Sequence, residues 1–493
     1  MSDLSNNLPK RLHVIGICGV ATSAIAIAFH KKGVKVTGSD KGFFAPISTE
    51  LEKNSIPFYA GWHPEKIEEF GKPDIIMAGG SGTSPSNPEA IYAKDHSIPL
   101  FSYAEILGKY FAKKSSIVTT GTWGKTSSSA LLSFILEQTG FDPSYMFGGV
   151  SLSHEASAKL SDSDWNVFEG DEYQASISDK KAKFFYYKPT HLLLSAISWD
   201  HADMYPTEES YFGAFRKLIK GIPKDGLIVG CADREKVVEL LKDFKGKKVM
   251  YGRHGGDSAY QYSNISQSEN GLHFTITHDC KDYTIHSPML GAYQAENITG
   301  CFAMAHEIGI RPEKTIEAIA EFKGLKRRME KRLDGADHSN RSGVTIIDDI
   351  AHSPEKASSV LATLREIYHG KVIAIFEPNI GGRSHESAAK YDNAFKDADL
   401  VVIPRLSKLK TSSGEKSDKE DGKDIQNAPM EGAELATIMG RTHANVRHIE
   451  SDEKLVGFLK SQTEKGDVIA FLGSHGFRGM IEEAISLHQR SPS

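Results

Sequence analysis

Short β-rich runs alternate with apolar residues at helical spacing along the whole chain. Leu12 to Ile15 is one such run; Gly16 to Gly19 breaks it, Ala21 to His30 carries the helical spacing, and "VKVTGSD" predicts a second strand ending at Asp40. "PDIIMAGG" and "IPLFS" add strands bounded by glycine or proline. Ser116 to Thr120 predicts a strand, and Thr126 to Thr139 a helix with Leu131, Leu132, Ile135 and Leu136 on one side, stopped by Gly140. Strands then end at "VFEGDEYQAS" and "HLLLSAISWDHADMY". The last third reads strand "GVTIIDDIAHSP", helix "KASSVLATLREIY", strand "KVIAIFEP", and further strands at "DLVVIP" and "DVIAFLGSHGFRGM". Such alternation predicts an α/β protein with parallel sheets covered on both faces.

Composition narrows the class. With 493 residues, 39% hydrophobic and 25% charged, the chain has room for two to four domains. A net charge of −5 argues against nucleic-acid binding through bulk positive charge. Cys18, Cys231, Cys280 and Cys301 lie far apart with no CxxC pair, so buried thiols in a reducing compartment are expected rather than disulfides or a zinc cluster. No apolar stretch precedes the first strand and no run reaches about 18 apolar residues, so neither signal peptide nor membrane span is expected, and the location expected is cytoplasmic. From Lys408 to Asp424 five lysines balance five acids in a stretch expected to be a surface loop.

The candidate chemistry centres on "IVTTGTWGKTSSS". Only Thr122 and Trp123 separate Gly121 from Gly124, two residues fewer than the usual Walker A spacing. Its strand–loop–helix context still suits a phosphate loop. N–H groups around Gly121, Thr122, Gly124 and Ser127 would face an anion, Lys125 would reach outer phosphates, and Thr126 would ligate Mg²⁺. A glycine-rich turn with a chance lysine is the alternative. Glu169, Asp171 and Glu172 close one strand, and Asp200, His201 and Asp203 another, where parallel sheets bind ligands. Together with the loop they suggest Mg²⁺ coordination, with Glu169 a better-suited ligand than His201. The turn Gly16 to Gly19 followed by Asp40 reads either as a dinucleotide-type site or as a plain strand-to-helix turn.

The segment "GTWGKTSSS" resembles the compact G-T-x-G-K-T-T loop of the Mur ligases, and the likeness extends through "GICG", "GSD", "DHADMY", "DDIAHSP" and the "EP" after the next strand. The resemblance implies three domains: a Rossmann-like UDP-sugar domain (1–112), a central P-loop ATPase domain with a mostly parallel sheet (113–325), and a Rossmann-like C-terminal domain (326–493). It implies that the carboxylate of UDP-N-acetylmuramate is activated with ATP and Mg²⁺ as an acyl phosphate, then joined to an amine. Lys125, Glu169, His201 and His352 would be catalytic, with Thr126, Glu169 and His201 on metal. Gly121, Thr122, Gly124, Lys125, Thr126, Ser127, Asn297, Arg328, Asp348 and Asp349 would meet the nucleotide. Gly16, Ile17, Cys18, Gly19, Ser39 and Asp40 would hold the UDP-sugar, their N–H groups facing its pyrophosphate. Arg327 shares the expectation of meeting phosphate with Arg328.

Within the family, "FEGDEY", "DKKAKF", "DHAD" and "EP" most resemble the murein peptide ligase branch, which takes L-Ala-γ-D-Glu-meso-diaminopimelate. The L-alanine-adding branch typically reads D-E-S-D-A-S-F and Q-P-H where this chain has "DEYQAS" and "EPN". The tripeptide is therefore the expected amino substrate and L-alanine the alternative, the chain acting in peptidoglycan recycling and cell-wall biogenesis as a monomer or homodimer, without nucleic acid or membrane insertion. Trp123, Ala196, Tyr293, Gln294 and Ser353 replace the residues usual at their positions, while Asn297 is retained. These changes keep a non-catalytic nucleotide-binding relative as a second alternative. A nicotinamide-dependent oxidoreductase leaves the Gly-Lys-Thr loop unexplained.

Overall fold

A computed structural model describes residues 8–43, 47–254, 258–337, 340–407 and 429–489. The hydrophilic stretch from Lys408 to Asp424 lies outside them. The chain divides into two compact units, one of Met1–Ile265, His273–Pro288 and Tyr293–Leu325, the other of Ser266–Leu272, Met289–Ala292 and Lys326–Ser493.

The first sheet holds β1 (Arg11–Ile15), β2 (Lys35–Asp40), β3 (Phe58–Ala60), β4 (Ile75–Ala78) and β5 (Leu100–Ser102) in the order β3-β2-β1-β4-β5, every pair parallel. This order reverses between β1 and β4, whose carboxyl ends mark the place where such sheets bind ligands. The turn Gly16–Gly19 and the helix Val20–Lys31 follow β1 there. Gly16 has φ +81°, and a Cβ on it would lie 2.8 Å from the Gly79 carbonyl oxygen, so both backbone and space call for glycine.

The second sheet contains β6 (Ser115–Thr120), β7 (Ser144–Met146), β8 (Ala158–Lys159), β9 (Trp165–Gly170), β10 (His191–Leu194), β11 (Leu227–Cys231), β12 (Lys247–Gly252), β13 (Tyr260–Ser268), β14 (Gly271–His278) and β15 (Lys281–Ser287). Its order is β15-β14-β13-β12-β11-β10-β6-β9-β7-β8. The central strand β6 pairs in parallel with β9 and β10 and is buried from Ser116 onward, so the loop after it starts from a rigid support. The helix Lys125–Gln138 is buried along Ser128 to Leu136 rather than on one side, because the helices Gln294–Glu307 and Pro312–Glu321 pack against it. Strands β13 to β15 do not stand out in the apolar pattern: β13 alternates buried and exposed positions and carries polar side chains on its open side.

The third sheet runs β16-β17-β21-β18-β19-β20, with β16 (Glu330–Leu333), β17 (Thr345–Asp349), β18 (Val372–Glu377), β19 (Leu400–Pro404), β20 (Val446–Ile449) and β21 (Val468–Gly473). All pairs are parallel except β16 with β17. Among the described residues no helix is long and apolar enough to cross a membrane. All four cysteines are free; Cys231 and Cys301 are buried as expected of the set, but Cys18 is half-buried and Cys280 is exposed on the left-handed turn (φ +61°) between β14 and β15.

Candidate functional site

The shortened loop is stitched to the neighbouring strand end. Gly121 has φ +135°, and a Cβ there would lie 2.5 Å from Ser195 Oγ and 2.6 Å from the Ala196 oxygen. The Thr122 N–H donates to the Ala196 carbonyl (2.6 Å), the Thr122 hydroxyl donates to Ser198 O (2.9 Å) and accepts from Ser198 N–H (2.8 Å), and Ser195 Oγ donates to Trp123 O (2.5 Å). These bonds hold the shortened loop against the segment after β10. Ala196 acts through its carbonyl; its side chain is buried.

Gly124 (φ +82°) begins the helix, and a Cβ on it would overlap Asn297 Oδ1. Asn297 donates through Nδ2 to Gln294 Oε1 (3.0 Å), so the retained asparagine and the substituted glutamine form one buried pair under the loop. Among the described residues, the N–H groups of Lys125, Thr126 and Ser127 in the first helical turn meet no acceptor. Trp123 is 60% exposed and Tyr293 51%.

Thr126 Oγ1 donates to Glu169 Oε1 (2.9 Å), and Glu169 Oε2 accepts the Gly148 N–H (2.5 Å). Burial pushes the Glu169 carboxyl up. A hydroxyl and a carboxylate so close are hard oxygen donors of the kind Mg²⁺ takes, and a divalent cation would offset the burial of the carboxylate. The residues present therefore fit that ion. His201 lies beside Glu172: its Nε2 is 3.8 Å from Glu172 Oε1, and its ring lies 4.9 Å from that of Tyr173. Asp171 pairs with Lys183 (2.6 Å); burial raises its carboxyl, but Lys183 and the Tyr173 N–H more than offset this and hold it below the usual range. Asp203 accepts from Tyr173 OH (2.6 Å). Asp171 and Asp203 thus each have a protein partner. Glu172, grouped with them in the sequence reading, holds Lys125 Nζ with both oxygens at 3.0 and 2.9 Å.

At the first sheet the expected anion cradle differs from the sequence reading. Gly16 and Ile17 donate their N–H groups to Ser39 O (2.8 and 3.0 Å), Cys18 donates to Asp40 Oδ2 (2.9 Å), and Gly19 to Gly16 O (3.2 Å). The β2 register brings these acceptors beside the turn, so the four N–H groups close it instead of facing a ligand. The donors without an intrahelical acceptor are those of Val20, Ala21 and Thr22, one step along the chain. Ser39 is fully buried, its hydroxyl donated to Glu89, which also accepts from Tyr59 OH (2.7 Å) and His63 N–H (2.9 Å). Asp40 remains partly exposed.

In the second unit Arg327 donates to the carbonyls of Gly473, Ser474 (3.0 Å) and His475 (2.9 Å) and lies 3.4 Å from Asp348. It is committed to the loop after β21, whereas Arg328 is exposed. Burial pushes Asp348 up to about 6 despite Arg327. Asp349 accepts the Met329 and Ala351 N–H groups (2.7 and 2.8 Å) and so shapes the turn carrying His352. His352 donates Nδ1–H to Ile350 O (2.7 Å); burial lowers its pKa, leaving a neutral ring with Nε2 as acceptor. Ser353, in place of a second histidine, caps the helix Pro354–Ile367 by accepting the Lys356 N–H (3.4 Å).

One further cluster of possible metal ligands occurs among the described residues: Cys231, Asp233 and Glu296, within 4.8 Å of one another. Asp233 already accepts the Arg253 and His254 N–H groups, and Glu296 pairs with Arg234 (2.7 Å), so it reads as a satisfied polar network.

The family profile described as Mur ligase family, catalytic domain, matches residues 11–115; Mur ligase middle domain matches 119–305; and Mur ligase, glutamate ligase domain, matches 327–475. The UDP-N-acetylmuramate–L-alanine ligase of Bradyrhizobium sp. is 27% identical over 483 residues, 95% of this chain and 96% of that protein. In fold, the UDP-N-acetylmuramate–alanine ligase of Thermotoga maritima superposes with TM-score 0.77 at 21% identity, covering 97% of this chain and 99% of that one. A murein peptide ligase of Psychrobacter arcticus gives TM-score 0.65 at 21% identity, covering 98% and 100%.

Proposed function

The chain belongs to the Mur ligase family, whose members are ATP-dependent amide ligases, and from that premise we propose that it joins the carboxylate of UDP-N-acetylmuramate to an amine. The observation that carries this reading is the loop itself: Lys125, three unpartnered N–H groups and the Thr126–Glu169 pair converge after β6. ATP supplies a phosphoryl group that turns the carboxylate oxygen into a leaving group, and the amine then displaces phosphate and gives up a proton. The protein's share is positioning and charge neutralisation. Lys125 and the first-turn N–H groups of Lys125, Thr126 and Ser127 would meet the outer phosphates, and Thr126 with Glu169 would hold Mg²⁺. His201 would serve beside Glu172, and Asn297 fixes the loop through Gly124. In the C-terminal domain His352 would offer Nε2 as acceptor on the turn built by Asp349, and exposed Arg328, not Arg327, is the cation free to meet phosphate. In the first domain Val20 to Thr22 would face the pyrophosphate, with Asp40 beside them. The proposal places domain borders after residues 112 and 325 and takes the chain to act in the cytoplasm as a monomer or homodimer.

For the amino substrate, the relative matched along 95% of the chain is an L-alanine ligase, which supports L-alanine over the tripeptide expected from local motifs. "DEYQAS" and "EPN" still favour the tripeptide, so both belong in the test. Phosphate release is measured with UDP-N-acetylmuramate, ATP and Mg²⁺ and either amine. Higher kcat/KM with L-alanine is expected. Faster turnover with the tripeptide would reverse the choice, and release with neither amine would remove the ligase reading.

A further inference from the structure

Glu172 is 1% exposed, a carboxylate paired with the lysine of the loop read above as a nucleotide site. Both its oxygens accept from Lys125 Nζ (3.0 and 2.9 Å), Tyr211 OH donates to Oε1 (3.3 Å), and His201 Nε2 lies 3.8 Å from the same oxygen. Its backbone is fixed as well, because Tyr205 OH donates to the Glu172 carbonyl (2.7 Å). Tyr211 OH also lies 3.3 Å from Thr122 Oγ1, which ties this carboxylate to the loop. The lysine expected to meet a nucleotide is therefore held by an internal anion.

Resting on the reading of the loop as a nucleotide site, we infer that Glu172 is a positioning residue that holds Lys125 in place of phosphate and makes nucleotide binding depend on a divalent cation. Phosphate oxygens and Glu172 compete for the same Nζ. Nucleotide arriving without metal brings several negative charges toward a buried carboxylate and draws away its strongest partner. Desolvated charge left without a counter-ion is costly. Among the described residues, the other side-chain groups close to the Glu172 carboxylate are the Tyr211 hydroxyl and the His201 ring, and neither carries the permanent charge of an ammonium group. A cation carried in with the phosphates offsets the excess charge, so the metal-bound nucleotide escapes most of this cost. Glutamine at 172 keeps the shape and the acceptor for Tyr211 but removes the charge.

The test is calorimetric titration of the full chain with ADP, once with Mg²⁺ and once with a chelator. Glu172→Gln is expected to tighten metal-free ADP by at least about tenfold and Mg²⁺-ADP by much less, shrinking the ratio of the two dissociation constants. Unchanged or weaker metal-free binding in the variant, with ADP still bound by wild type, overturns this inference and leaves the loop reading standing. No ADP binding by wild type under either condition overturns both. Tyr211→Phe gives a second measure should Glu172→Gln not fold: losing a donor to the released carboxylate should weaken metal-free ADP more than Mg²⁺-ADP, and equal effects on both would count against the inference.

Discussion

The side-chain amide of Asn297 lies directly against the Cα of Gly124, filling the space a Cβ would need. A residue 173 positions further along thus sets the shape of the loop. Gly124→Ala meets both this overlap and a left-handed backbone (φ +82°), so a loss of about 2 kcal/mol in stability and at least about tenfold in nucleotide affinity is expected. The double variant Gly124→Ala/Asn297→Ala should recover part of the affinity, since it relieves the overlap but not the strain. Calorimetry on the four proteins of the cycle measures the coupling, and strictly additive effects would refute the contact.

Lys125→Ala should lower turnover about 100- to 1000-fold while UDP-N-acetylmuramate binding is retained. It also leaves Glu172 buried without its cation, so the variant is expected to be less stable by about 3 kcal/mol. Phosphate release, substrate titration and urea unfolding read the three effects separately. Unchanged turnover would take the loop out of the mechanism.

Trp123 is 60% exposed on the loop, and its removal should leave stability within about 0.5 kcal/mol. If the indole stacks on the nucleotide base, Trp123→Ala weakens ATP about fivefold, the scale of one aromatic contact. ATP should also quench tryptophan fluorescence in the wild type and not in the variant. Equal affinity and equal quenching would rule the contact out.

The His154 ring is buried, six residues after the Gly148 whose N–H reaches Glu169; it contacts Ser151 Oγ (2.8 Å) and Ser133 Oγ (3.1 Å), lies 3.6 Å from Glu137 and packs among Phe134, Tyr145 and Phe147. Burial lowers its pKa from the ordinary 6.5 to about 4. Because the folded value is the lower one, the unfolded chain binds a proton across this window that the folded chain refuses. The stability linked to His154 is whole above about pH 6.5 and is lost as pH falls to about 4, roughly 3 kcal/mol in all. Urea unfolding at pH 7.5 and pH 4.5 should therefore show a smaller fall for His154→Asn than for wild type. An equal fall in both would refute the assignment.

Much of the fold was written in the chain. Burial on both faces gives parallel strands such as Val372–Glu377 continuous apolar runs, and glycine punctuation marks the turns after β1 and β6. The half-exposed strands β13 to β15 lacked such runs and did not stand out. Local order likewise marked the candidate phosphate loop, because Gly121, Gly124, Lys125 and Thr126 fall within one short turn, while Asn297 and the Ser195–Ser198 segment give that turn its shape.

Tertiary structure decided which charges remain available. Sequence placed Glu169, Asp171, Glu172 and Asp203 in the same acidic neighbourhoods, but only the folded chain gives Asp171 to Lys183, Asp203 to Tyr173, Glu169 to Thr126 and Glu172 to Lys125. The same holds for the turn after β1, whose N–H groups are consumed by Ser39 and Asp40 of the neighbouring strand. The cause is physical: a donor or a charge acts on whatever lies within about 3 Å, and these partners come from distant segments that only the packed sheet brings together.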